Sequence, residues 1–180
     1  MSTVEPIRNI EDLKKVEKIL EEQSLRNLLI FLIGSNCGLR ISDILSLNVG
    51  DVKNKNYIQL IEKKTGKPKK IQINSKLKPL LNTFTKGRKI TEPLFMTIFK
   101  NRMDRSAAYR ILNYACDKAG IEANIGTHTL RKTFGYHYYK KYKDVVMLQK
   151  IFNHSHPEIT LRYIGLEQDK IDESYIDFIL

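Results

Sequence analysis

A mainly α domain with a small antiparallel β-sheet (α+β), arranged as a helical bundle carrying three strands, is what this sequence predicts, on three observations. Apolar residues recur at helical spacing through most of the chain. One stretch, 57–73, switches to alternation around a break at Lys63-Lys-Thr-Gly-Lys-Pro-Lys69. With 180 residues and 42% hydrophobic content, the chain suits one well-formed core and hardly two.

Leu13, Val16, Ile19 and Leu20 share one face of a helix over about 9–22, with Asn9 placed to cap it. A second helix, 24–37, is apolar throughout 28–33 and stops at Gly38, which marks it as the central buried helix. A short helix covers 41–47. Alternation at 57–62 and 70–73 predicts a hairpin with a lysine-rich tip, and Val52 begins a third, edge strand. Helices return over about 75–84, 106–119, 128–140, 144–152, 158–164 and 168–179. The chain reads as one domain, with residues 1–8 as a flexible N-terminus.

Lys and Arg number 31 against 20 Asp and Glu, a net charge of +11, which calls for a polyanionic partner. The excess is uneven. Residues 166–180 carry a net −4 and the remainder +15, so nucleic acid should meet the body and not the tail. Cys37 and Cys116 lie far apart without CxxC or Cys/His spacing, so they read as buried, reduced thiols and no metal site is predicted. His154-x-His156 has no third ligand at a useful spacing. Met1 is followed by no basic-then-apolar leader, and 25–34, the most apolar stretch, is too short to span a bilayer. The expectation is a soluble, cytoplasmic protein with no membrane partner.

Phosphodiester cleavage needs a nucleophile, cationic donors for the charge that builds on the phosphoryl oxygens, and an acid for the departing oxygen. This sequence can supply all three. Arg40, in Gly38-Leu-Arg-Ile-Ser-Asp43, follows a helix stop and can present a forked donor pair to a phosphate, or pair with Asp43 three residues on. His128-Thr-Leu-Arg131 sets an imidazole and a guanidinium on one helical face, or on a solvated one. The hairpin tip holds Lys63, Lys64, Lys67, Lys69 and Lys70, contacts for a DNA backbone, of which one could reach an active site as a proton donor of lowered pKa. Phe152-Asn-His-Ser-His156 leads to Tyr163, one of nine tyrosines, most of which serve packing. His137, inside a tyrosine-rich helix, reads as structural.

In order and local wording, four blocks resemble the catalytic domain of the tyrosine recombinases, or phage integrase family. They are Gly38-Leu-Arg-Ile-Ser-Asp43, Lys64-Thr-Gly66, His128-Thr-Leu-Arg131, and Phe152-Asn-His-Ser-His156 through Thr160-x-x-Tyr163. The resemblance implies that Arg40 and Arg131 clamp the scissile phosphate and that Lys64 is general acid toward the 5′-hydroxyl. It further implies that His128 assists proton transfer from the nucleophile, that His154 donates to the phosphate, and that Tyr163 attacks to give a 3′-phosphotyrosyl intermediate. Lys63, Lys67, Lys69 and Lys70 are left to bind DNA. No cofactor is implied; double-stranded DNA is, together with a homotetramer on it, in which the C-terminal helix docks either on a neighbouring protomer or on its own core.

Asn153 and Asp43 depart from the family's usual Gly and Glu. Only about 25 residues precede the second helix, so the N-terminal DNA-binding domain usual in the family is absent, by excision or in a natural minimal form, the first being favoured. Two other readings remain: a type IB topoisomerase, using similar chemistry as a monomer, and a basic DNA-binding module without catalysis.

Overall fold

The computed structural model describes residues 4–166 and 175–179. Helices α1 (Ile10–Gln23), α2 (Leu25–Cys37) and α3 (Ile41–Ser46) lead to a hairpin of β1 (Tyr57–Ile61) and β2 (Pro68–Gln72). There follow α4 (Leu77–Thr85), α5 (Arg105–Lys118), α6 (Thr129–Tyr142), α7 (Val145–Phe152) and α8 (Pro157–Tyr163). Local chemistry sets the boundaries. The Asn9 side chain accepts from the Glu11 N–H at the start of α1, and Ser24 accepts from Asn27 at the start of α2. Gly38 ends α2 in the left-handed region (φ 62), and a Cβ there would lie 2.5 Å from the Phe134 ring, so two constraints require glycine.

As its composition predicts, α2 is buried on all sides: residues 28–33 are nearly inaccessible, and the helix packs on α1, α3, α4, α5 and α6. A second, smaller core of Tyr136, Leu148, Phe152, Ile164 and Leu166 joins α6, α7 and α8. Gly135 lies at its centre, where an added Cβ would meet Ile164 Cγ2 at 2.6 Å and Phe152 ring carbons at 2.8 Å. Gly135→Ala should therefore destabilise the domain by about 1–3 kcal/mol through overpacking, read as a lower melting temperature. An unchanged melting temperature would show that α8 can yield.

The sheet has two strands among the described residues, and the predicted third is absent. Asn48 and Asp51 form a reciprocal capping box that curls 49–51 into a 3-10 turn, removing Val52 from extended geometry. Pairing at this point comes from later in the chain: Val49 N–H donates to Glu92 O, and Leu94 N–H to Leu47 O. The second strand also starts earlier than predicted. It pairs Leu60 with Lys69 and Ile58 with Ile71, which turns Lys69 to the inner face.

Residues 4–8, predicted to be flexible, are fastened down. Ile7 is 2% exposed, its N–H donates to Thr133 Oγ1, and its carbonyl lies 2.9 Å from His137 Nε2. An apolar side chain filling the groove beside α6 is the physical reason. The predicted helix at 168–179 lies mainly outside the described residues. Residues 175–177 are helical, and Tyr175, Ile176, Phe178 and Ile179 are exposed. No helix among the described residues is long and apolar enough to cross a membrane.

Candidate active site

Arg40 stands at the N-cap of α3, immediately beyond the Gly38 turn, with its side chain 13% exposed. Its guanidinium lies 3.1 Å from Glu62 Oε1 and 3.9 Å from Asp43 Oδ2, and neither contact is aligned as a hydrogen bond. The i,i+3 pairing with Asp43 is thus the lesser interaction. Asp43 is fully buried and accepts the Lys63 N–H at 3.0 Å, which ties α3 to the hairpin.

Arg131 comes from the first turn of α6 and is 1% exposed. It donates to Gly38 O at 2.6 Å and to Phe152 O at 2.9 Å, while its plane lies 4.3 Å from the Phe152 ring centroid. Burial, then the neighbouring Arg40 charge, lower its pKa to about 10, still far above neutrality. A further hydrogen bond from this guanidinium to Tyr163 sets the fork directly against the phenol.

Tyr163 ends α8. Its hydroxyl lies 3.2 Å from His128 Nδ1, and its ring meets His154 and Phe152 edge-on. Burial pushes the phenol above its usual pKa, against the pull of Arg131 and Arg40. Burial also lowers the pKa of His128, followed by the charges of Arg131, Arg40, Lys132 and Lys64. A neutral imidazole beside an un-ionised phenol is a base facing its acid. His154 Nδ1 lies 3.0 Å from the fully buried Thr160 hydroxyl, and burial plus the charges of Arg131 and Arg40 bring its pKa down to about 4.

A consequence for stability follows. Unfolded His154 regains a pKa of about 6.5, so between pH 6.5 and 4 the unfolded chain binds a proton that the folded one does not. Stability is then lost as pH falls through that window. Glu62 acts lower: burial raises its pKa, but hydrogen bonds from Thr65, Asn153 and Lys69 and the Lys69 charge outweigh that and hold it at about 2. Melting temperatures should decline from pH 7 to 5 in wild type and less steeply in His154→Asn; equal slopes would refute the assignment.

The hairpin lysines separate into two groups. Lys63, Lys64, Lys67 and Lys70 are exposed, and Lys70 lies over the Tyr57 ring. Lys64 makes no hydrogen bond or ion pair among the described residues, although its charge reaches both imidazoles. Lys69 points inward instead, donating to Ile151 O at 2.6 Å and to Glu62 Oε1 at 3.2 Å; burial and the two arginines lower its pKa.

Of the residues singled out in the sequence, Arg40, His128, Arg131, His154 and Tyr163 converge, with Lys64 at the rim. Sequence reasoning missed Glu62 and the inward placement of Lys69. Both were signalled by alternation, since Ile58, Leu60 and Glu62 share the inner face of the hairpin with Ile71 and Lys69. His156 caps α8 without a side-chain bond, and no group of His, Cys, Asp or Glu fit for a metal occurs among the described residues. Cys37 and Cys116 are buried and free, their thiols pushed up to about 12 by burial.

Comparison with known proteins bears on the family and the fold. The family model described as the phage integrase family matches residues 8–170. The chain is 46% identical over 176 residues to the probable integrase/recombinase YoeC of Bacillus subtilis, covering 97% of each. It is 29% identical to tyrosine recombinase XerH of Campylobacter jejuni, covering 89% of this chain and 48% of that protein, so it spans about half of that relative's length. The crystal structure of XerA recombinase has the same fold, with a TM-score of 0.77 at 20% identity, covering 98% of this chain and 64% of the other. The chain belongs to the phage integrase family and has the fold of a tyrosine recombinase catalytic domain.

Proposed function

We propose that this chain is a site-specific DNA recombinase, an integrase that cleaves and rejoins strands through a 3′-phosphotyrosyl intermediate. The observation that carries the reading is the 3.2 Å approach of the Tyr163 hydroxyl to His128 Nδ1 beside two guanidiniums, all within one chain. Arg40 and Arg131 hold the non-bridging oxygens and meet the charge that grows on them. His128 takes the phenolic proton as the Tyr163 oxygen attacks phosphorus. The bond to the 5′-oxygen breaks, and Lys64 protonates the departing group. In the tautomer with its proton on Nε2, His154 accepts from Thr160 on Nδ1, 3.0 Å away, and donates Nε2–H to the phosphate. Religation is the reverse: the 5′-hydroxyl of a second strand gives its proton to Lys64 as its oxygen attacks phosphorus and displaces Tyr163, which recovers its proton from His128. The bond energy stays in the phosphotyrosyl linkage, so no ATP, metal or other cofactor enters these steps.

Exposed Lys63, Lys67 and Lys70 suit contacts to flanking phosphates, whereas Lys69 is committed inside the site. The acidic tail with its exposed Tyr175, Ile176, Phe178 and Ile179 suits docking on a neighbouring protomer, within a tetramer on double-stranded DNA. The proposed compartment is the cytoplasm.

Capture from a pool of nicked duplexes with randomised sequence tests this reading. SDS-resistant complexes should be enriched in one sequence, and the linked peptide should map to Tyr163. A linkage at another residue overturns the mechanism. Sequence-independent relaxation of supercoiled plasmid by monomer would select a topoisomerase, and binding with a steep salt slope but no covalent product a DNA-binding module.

A further inference from the structure

Glu62 is fully buried at the end of β1, in a pocket otherwise suited to an anionic phosphate. A carboxylate there opposes phosphate binding, so its presence calls for a geometric explanation. Its two oxygens gather groups from three elements. Oε1 lies 3.1 Å from the Arg40 guanidinium and 3.2 Å from Lys69 Nζ. Oε2 accepts the Thr65 hydroxyl at 2.8 Å and the Asn153 amide at 2.9 Å. Thr65 adjoins Lys64 at the hairpin tip, and Asn153 adjoins His154 in the turn between α7 and α8.

Asn153 has φ 54, a left-handed conformation that glycine adopts freely and asparagine better than other side chains. Asparagine thus supplies the turn and also an amide that reaches across to the hairpin. Lys69 crosses the same gap in the other direction, to Ile151 O.

We propose that Glu62 is a positioning residue of the cleavage reaction, with Asn153 as its partner in a latch between the lysine hairpin and the turn bearing His154. This rests on the recombinase reading above. Glu62 does not touch DNA; it holds Arg40 directly, the Lys64 turn through Thr65, and the His154 turn through Asn153. Misplacing such groups by an ångström lowers a rate by up to about a hundredfold.

The test uses full-length protein and the duplex selected above. Three quantities are read: single-turnover cleavage at saturating DNA, the Kd for the duplex, and the melting temperature. Glu62→Gln should slow cleavage roughly ten- to a hundredfold while binding DNA as tightly as wild type or more tightly, since an opposing charge is gone. A merely structural role would weaken binding and cleavage together. Asn153→Gly keeps the left-handed turn and removes only the amide, so it remains informative if Glu62→Gln folds poorly. It should slow cleavage while staying folded at the assay temperature, since glycine's ease in the left-handed turn offsets part of the lost hydrogen bond, and the double variant should be no slower than Glu62→Gln alone. Wild-type cleavage by either single variant, or effects that multiply in the double, would overturn the latch. If wild type itself forms no Tyr163-linked adduct, the recombinase reading fails and the latch with it; if it does, only the latch is at stake.

Discussion

Tyr163→Phe forms no covalent complex with a duplex that wild-type protein attacks, and the loss is complete, because the substitution deletes the atom that would bond to phosphorus. The change is otherwise small. The phenyl ring keeps its edge contacts with Phe152 and His154, and only the hydroxyl facing His128 disappears. Loss of one such hydrogen bond is worth about 0.5–1.5 kcal/mol, or a few degrees in the melting temperature of a domain of this size, so the variant should fold and bind DNA normally. Other phenols are not placed to substitute: Tyr138 and Tyr142, for instance, pack on each other at 4.8 Å along α6. An SDS-resistant product that persists in the variant sinks the nucleophile assignment.

Arg131→Ala should show two large effects at once. In cleavage, loss of a single transition-state donor corresponds to roughly a hundred- to a thousandfold. In stability, the carbonyls of Gly38 and Phe152 lose their shared donor inside the protein, at about 1–3 kcal/mol for each buried group left unpaired. Arg131→Lys separates the two. A lysine keeps the positive charge and can reach one carbonyl, but it cannot hold both and still present a fork to phosphate. Its melting temperature should therefore recover in part while its cleavage stays slow. Single-turnover rates measured below both melting transitions decide the matter, and wild-type cleavage by the alanine variant would remove Arg131 from the clamp.

Much of this was legible locally. Ser24 and Gly38 bracket α2, Asn9 opens α1, and the run of apolar residues in 28–33 announces the buried centre. Arg40, His128, Arg131, His154 and Tyr163 were recognisable because their neighbours repeat a familiar wording, although their convergence depends on contacts spanning as many as 93 positions, as between Arg131 and Gly38. What escaped depended on register. Beginning the second strand at Lys70 instead of Pro68 hid the inward turn of Lys69, and the Lys64-Thr-Gly66 wording drew the one site-reaching lysine to the tip. Val52 failed as a strand because a capping box between Asn48 and Asp51 outweighs β-propensity. Ile7 looked like part of a loose end, since the groove that receives it is built by α6, more than a hundred residues away.

That attachment of Ile7 has a mechanical consequence. Its N–H is bound to Thr133 and its carbonyl to His137, and α6 also carries Arg131 in its first turn, directly after His128 at its N-cap. A pull or twist applied ahead of Val4 is delivered to the axis on which both of those side chains are mounted. An affinity handle or reporter fused there acts as a lever arm on the reaction centre, whereas the same cargo inserted at the exposed Gly87 turn, where an added Cβ meets nothing within 4 Å, has no such grip.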